Sequence, residues 1–377
     1  MKKIVLIPDS FKGTMSSSHV CAIMARAIKG HYPDVKVRSI PVADGGEGSV
    51  DAFLSAVGGK KIPVSVTGPY GEPMQSFYGI LSDGTAVIEM ASCAGLPLVE
   101  GNMNPLLTTT FGVGQLIKAA VEHGCKKVIL GLGGSCTNDG GTGAAAALGV
   151  RFEKSSGKAF IPTGGTLHEI SRIDASSLAR KLAGIQIVVM CDVDNPLCGP
   201  TGAARVFGPQ KGADAEAVPL LDQGLLHLSQ VIKRDLGKDI LNLRGSGAAG
   251  GMGGGMVSFL NAKLMMGIDV VLSVVNFDRI AADADLVITG EGKMDEQSLH
   301  GKVVIGVARR TKALGVPLVA VVGDMADNLE AAYDLGVDAI FSTNTKAEDF
   351  SRSRVHSEED LFLTMDNIIR LIHRLMA

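Results

Sequence analysis

The chain has 377 residues, 46% of them hydrophobic, with a mean hydropathy of +0.26, a formal net charge of −3 and a pI near 6.3. That is enough apolar side chain for a large buried core, and the length favours two domains over one. The near-neutral balance without a basic block argues against nucleic acid as the main partner, and apolar stretches such as 256–275 are interrupted by Asn261, Lys263 and Asp269, so no membrane span is expected. The N-terminal apolar run ends at Pro8 and Asp9, too early for a signal segment, and reads as a first strand over 3–7. A helix over 16–29, a strand over 35–42, a helix over 47–57 and a strand over 60–66 complete a βαβαβ unit. From residue 67 the texture changes to short β-like runs with turn signals at Tyr70-Gly71, Glu72-Pro73 and Asp83-Gly84. A helix over 112–123, a strand over 186–191, a helix over 217–236 and a glycine-rich loop over 245–255 follow.

Beyond these the alternation returns, with strands over 286–289, 317–322 and 339–342 and helices over 302–314, 327–334 and 358–375. The charged, serine-rich stretch 347–359 reads as an exposed loop. The expected fold is therefore α/β. Residues 1–68 and 283–377 form one flavodoxin/Rossmann-like parallel sheet, and 69–282 form an inserted α/β domain that carries the glycine-rich loops. The six cysteines show no C-x-x-C pair and no histidines at metal spacing, which reads as reduced thiols of a cytoplasmic protein.

The densest chemical signal is KKVILGLGGSCTNDGGTGAAAAL from Lys126, an apolar strand that breaks into a glycine-rich polar loop and then opens an alanine-rich helix. Glycine permits close backbone approach, and a helix start offers unpaired N–H groups and a positive dipole end, so the loop reads as an anion cradle. Its candidate ligand contacts are Gly133, Gly134, Ser135, Thr137, Asn138, Asp139, Gly140 and Gly141, a set suited to a metal–polyphosphate group. No Gly-Lys-Ser/Thr closes it, so it is not a Walker A sequence. Acids follow several strands: Asp9, Asp44, Asp192, Glu291 and Asp324. Parallel sheets bind ligands at their carboxyl ends, so such acids suggest a metal. Asp44 and Glu47 stand three apart at a helix start, where they either ligate Mg²⁺ or cap the helix.

The motifs PDSFKG at 8–13, ADGGEG at 43–48, LGGSCTNDGG at 132–141, CDVDNPL at 191–197, FGPQKGA at 207–213 and TGEGKMDEQSLHGK at 289–302 together resemble the bacterial glycerate kinase family, in order and over nearly the whole chain. The resemblance implies transfer of the γ-phosphoryl of ATP to glycerate, in the branch forming 2-phosphoglycerate during glycerate and sugar-acid breakdown. It also implies a flavodoxin-like domain built from both termini with a distinct middle domain. Cys136 departs from the alanine expected in the family loop.

Phosphoryl transfer needs a phosphate cradle, magnesium, a cation on the migrating charge and a base beside the acceptor hydroxyl. Candidates are the 133–141 cradle for ATP, Asp44, Glu47, Asp192 and Asp295 for Mg²⁺, and Lys12 and Lys293 for the cations. Asp192 doubles as a candidate base, a role the sequence does not decide. Asp9, Ser10, Lys211 and Gln297 are candidates for holding glycerate, the small-molecule partner, and a homo-oligomer is allowed but not specified. Three rival readings are weaker. Gly245-Ser-Gly-Ala-Ala-Gly250 matches G-x-G-x-x-G with Asp269 downstream, as in an NAD-dependent dehydrogenase, but the glycines running on to Gly255 are expected to spoil the required helix. Asp192-Val-Asp194 resembles a phosphohydrolase nucleophile, though Pro196 stands where such an enzyme has Thr or Val. The third is a non-catalytic sensor of glycerate or nucleotide. The choice between the 2- and 3-hydroxyl, and between glycerate and a related hydroxy acid, stays open.

Overall fold

The computed structural model describes residues 1–42, 45–178, 182–346 and 348–376. The chain divides into two compact units, residues 1–43 with 266–377 and residues 44–265. In the first, five parallel strands lie in the order Ala339–Ser342, Leu318–Val322, Leu286–Gly290, Lys3–Pro8, Lys36–Ser39. Counted along the chain this is 2-1-3-4-5 from one edge, the flavodoxin-like order. The three central strands are almost wholly buried, as expected of β-branched runs covered on both faces, whereas the edge strands are partly exposed. Ile4, Leu6, Ile288 and Val321 share a core with Val20 and Met24 of helix Ser17–His31 and with Leu361, Met365 and Ile369 of helix Ser357–Met376.

The second unit is built on a mixed six-stranded sheet. Strands Lys263–Met265, Gln186–Met190, Lys127–Gly131 and Ala86–Glu89 run parallel, and Pro73–Leu81 and Gly59–Thr67 continue the sheet antiparallel. The strand expected over 60–66 does form, but it pairs along its whole length with Pro73–Leu81 instead of joining the terminal sheet. The reason is local: the Gly68–Gly71 turn folds the two strands back on each other, with the Gly68 amide donating to the Glu72 carbonyl at 2.7 Å. Residues 44–68 therefore belong to the middle unit. Residues 266–282 belong to the terminal one, where a Cβ on Gly306 would lie 2.5 Å from Ile268 Cγ2. The expected boundaries at 68 and 283 are displaced accordingly.

The glycine run at 245–255 is not a loop throughout. Ala249, Gly250 and Gly251 take left-handed dihedrals, and the chain then continues as a buried helix to Leu260. Glycine favours that helix here because it allows backbone to meet backbone: a Cβ on Gly253 would lie 2.2 Å from the Gly245 carbonyl oxygen, and one on Gly255 2.2 Å from that of Gly140. The stretch after 347 likewise carries a short helix, Phe350–Ser353, and the start of the last long one. Among the described residues no helix is long and apolar enough to cross a membrane.

Candidate active site

In the terminal unit the strand order reverses between Lys3–Pro8 and Leu286–Gly290, the place where a doubly wound sheet leaves a crevice at its carboxyl ends. The register pairs Pro8 with Gly290, and the Asp9 amide donates to the Gly290 carbonyl at 2.8 Å, so Asp9 and Glu291 leave the sheet side by side. The two following loops touch through backbone: a Cβ on Gly292 would lie 3.2 Å from the Lys12 amide nitrogen. The fold thus brings Asp9, Ser10, Lys12, Lys293 and Asp295 to one end of one sheet.

Their individual settings differ. The Ser10 amide donates to Asp9 Oδ1 at 2.6 Å, and Lys12 is exposed. Lys293 pairs across 3.4 Å with Asp324, both half-exposed, an arrangement that leaves its ammonium accessible. Asp295 Oδ1 accepts the Ser298 amide at 3.3 Å, so part of its carboxylate serves the turn Glu296–Leu299. The side chain of Gln297 and the whole of Asp44 lie outside the described residues. Glu291 is the acid that burial singles out, at 5% exposure. Ser298 favours its ionised form, while Oε1 has no hydrogen-bond partner. Burial, together with Asp9 and Asp295, pushes its carboxyl up to about 7 against the opposing pull of Ser298 and Lys302. Sequence patterns place Glu291 among several strand-end acids and contain nothing that separates it from them.

In the middle unit the anion at the helix start is the protein's own. Asp139 Oδ2 accepts from the Thr110 amide and hydroxyl, both at 2.8 Å, and from the Gly143 amide at 3.2 Å, while Oδ1 accepts the Gly141 amide at 3.0 Å. Asp139 is fully buried, which pushes its carboxyl up against those four donors. Thr110 Oγ1 in turn accepts the Ala144 amide, so the first turn of Thr142–Leu148 is closed to an outside phosphate. Glu89 does the same at the other glycine-rich segment, accepting the Gly48 and Val50 amides at the start of Ser49–Val57, while Glu47 stays exposed and caps nothing.

The expected cradle lies mostly inside the protein. Ser135, Thr137, Asn138, Asp139, Gly140 and Gly141 are buried, and only the tip at Gly133 and Gly134 reaches the surface. That tip crosses the 45–46 segment backbone to backbone: the Gly133 amide donates to the Gly45 carbonyl at 3.0 Å, and a Cβ on Gly131 would lie 2.2 Å from that oxygen. Lys211, expected to hold a substrate carboxylate, is 2% exposed and donates to Ser135 Oγ and the Thr137 carbonyl, each at 2.8 Å. It fastens the loop from within, and burial draws its pKa down to about 8. Asp192 follows Cys191 at the end of its strand and is partly exposed, and Asp194 pairs with Arg244. Three loops, 133–141, 191–197 and 245–251, meet at this end of the sheet. The Gly247 amide donates to the Asn195 carbonyl at 3.0 Å, and the Gly140 amide to the Gly250 carbonyl at 3.0 Å. The side chains of Asn138 and Ser246 and the Thr137 hydroxyl are buried there without hydrogen-bond partners. Sequence reasoning missed Ser246, whose only signal was the glycine pattern assigned to a rival reading.

The profile of the glycerate kinase family matches residues 4–373, spanning both units and every loop described above. The chain belongs to the glycerate kinase family. It is 45% identical over 368 residues to the glycerate kinase of Bacillus subtilis (strain 168), covering 97% of this chain and 96% of that one. It is 44% identical over 345 residues to the glycerate 2-kinase of Escherichia coli (strain K12), covering 91% of each. A crystal structure from Salmonella typhimurium LT2, assigned there as glycerate kinase 2, superposes with a TM-score of 0.86 at 40% identity and covers 100% of this chain and 99% of that one. Membership in a kinase family makes the protein an enzyme with ATP as its phosphoryl donor. It sets aside the dehydrogenase and phosphohydrolase readings. The glycines expected to spoil a helix do enter one, which runs to Leu260.

Proposed function

We propose that this glycerate kinase family member transfers the γ-phosphoryl of ATP to the 2-hydroxyl of D-glycerate, giving 2-phosphoglycerate, in the cytoplasm and in the breakdown of glycerate and sugar acids. The observation that carries the reading is the end-to-end correspondence with the E. coli glycerate 2-kinase, on a sheet that collects acids and cations at its switch point. Asp9, Ser10 and Gln297 hold glycerate there, and Lys12 and Lys293 offset charge on the transferred phosphoryl. The Gly133–Gly134 tip is the part of the glycine-rich loop suited to nucleotide phosphate, because it combines surface access with exposed backbone.

Among the described residues no three His, Cys, Asp or Glu side chains are grouped to hold a metal. That fits Mg²⁺ bound mainly through phosphate oxygens and water, which needs only one or two carboxylates. Glu47, exposed beside the Gly133 crossing, suits that role, and Asp44 and Asp295 are the other candidates. When bound, Mg²⁺ neutralises charge on the β- and γ-phosphates.

An ADP-release assay across glycerate, lactate, tartronate and glycolate tests the activity, and the product decides the position. Enolase converts 2-phosphoglycerate to phosphoenolpyruvate, so immediate enolase-coupled signal supports the 2-hydroxyl. Signal appearing only after a mutase is added assigns the 3-hydroxyl instead. Glycerate-independent ADP release overturns the kinase reading.

A further inference from the structure

Glu291, in the terminal unit, is a charged group whose placement its local structure leaves unexplained. Other buried acids in the protein satisfy backbone: Asp139 and Glu89 each fill a helix start. Glu291 fills none. It ends the central strand Leu286–Gly290, is 5% exposed, and keeps Oε1 without a partner. A buried acceptor left unpaired costs about 1–3 kcal/mol, more when charged, so such a group in a native fold calls for a reason.

Its surroundings supply one. The Asp295 amide donates to Ser298 Oγ at 3.2 Å, and Ser298, 1% exposed, favours the ionised form of the Glu291 carboxylate. Ser298 is thus itself held in place by the turn, while Glu291 Oε1 is left for a ligand. The carboxyl stands beside Asp9, where the strand order reverses and a doubly wound sheet receives its ligand. Asp9, Asp295 and Lys302 are the charged groups that act on it, and their balance with burial sets a proton affinity near neutrality, as a general base requires.

We propose that Glu291 is the base of the phosphoryl transfer, its Oε1 accepting the proton of the attacking glycerate hydroxyl, with Ser298 as its positioning residue. This rests on the kinase reading above. In the step, the hydroxyl O–H bond breaks and its proton passes to Oε1. The oxygen's electron pair forms the new bond to the γ-phosphorus. The bond from that phosphorus to the β,γ-bridging oxygen breaks, and its pair leaves on ADP. The proton returns to water after product departs.

The test compares full-length wild type, Glu291→Gln and Ser298→Ala in the glycerate-dependent ADP assay from pH 5.5 to 9. Glu291→Gln is expected to lower kcat by about 10²–10⁴ with KM for ATP little changed, and to remove the acidic limb of the kcat/KM profile. Ser298→Ala is expected to keep the limb but move it to higher pH, because the Ser298 hydroxyl favoured the ionised form. A merely structural role would lower folded yield without moving the limb. Should Glu291→Gln not fold, the direction of the limb in Ser298→Ala decides alone. A Glu291→Gln enzyme with kcat within about threefold of wild type and an intact limb overturns the proposal. So does transfer of that phenotype to Asp192→Asn, which would make Asp192 the base. Absence of glycerate-dependent turnover in the wild type, by contrast, overturns the kinase reading and this inference with it.

Discussion

The carboxylate of Asp139 accepts both the amide and the hydroxyl of Thr110 at 2.8 Å, tying the start of helix Phe111–Glu122 to the start of Thr142–Leu148. Asp139→Asn would present one acceptor oxygen and an NH₂ group where four donors converge. The expected loss is about 3 kcal/mol of stability, read as a lower urea midpoint, while the folded fraction keeps its KM for Mg–ATP within about threefold. A normal midpoint with a raised KM would return Asp139 to the nucleotide site.

Gly131→Ala tests the crossing of the two glycine-rich segments. The added Cβ would meet the Gly45 carbonyl oxygen at 2.2 Å, a backbone atom that cannot swing aside. A loss of about 3 kcal/mol or more is expected, whereas Gly124→Ala, whose Cβ meets nothing within 4 Å, is strained only by its φ of +99° and should lose about 1 kcal/mol. Equal losses in a chemical melt would mean that the crossing yields to the added methyl group.

Lys211 links stability to alkaline pH. Its folded pKa, drawn down to about 8 from 10.5 by burial, makes the folded state bind fewer protons than the unfolded one between those values. Stability from this group therefore rises with pH across that window, by about 3 kcal/mol in full. Lys211→Met should remove that rise, so the difference in unfolding free energy between wild type and variant should move in favour of the wild type from pH 7.5 to 9.5. A pH-independent difference would show that the ammonium stays charged in the folded protein.

Glu291 carries the opposite sign. Its carboxyl is raised from 4.5 to about 7 in the folded protein, so the folded state holds the proton more tightly and stability falls as pH climbs through that range. Glu291→Gln should therefore be more stable than wild type at pH 8, by about 3 kcal/mol, and nearly equal to it below about pH 4. Such a gain alongside lost turnover is the trade expected of a group held for function. A variant less stable than wild type at pH 8 would assign Glu291 to structure.

The sequence by itself determined the family, the α/β class and most of the elements. Helix Ala217–Leu236 and strand Ala339–Ser342 run where the pattern places them, because hydrophobic period is a local property. It also determined which loops matter, since runs of glycine and acid at strand ends need a reason that loops alone do not supply. Which sheet strand Gly59–Thr67 joins was decided by pairing with Pro73–Leu81, a choice invisible in its own residues. The roles of the acids were decided the same way. Asp139 and Glu291 look alike in sequence, each charged and set among glycines after a buried strand. Only the tertiary structure turns one carboxylate onto four donors of its own chain and leaves an oxygen of the other without a partner, because those contacts come from segments as distant as Thr110 and Asp9. Desolvation and hydrogen bonding act through space, so the chemistry of a carboxyl is settled by what the fold packs around it.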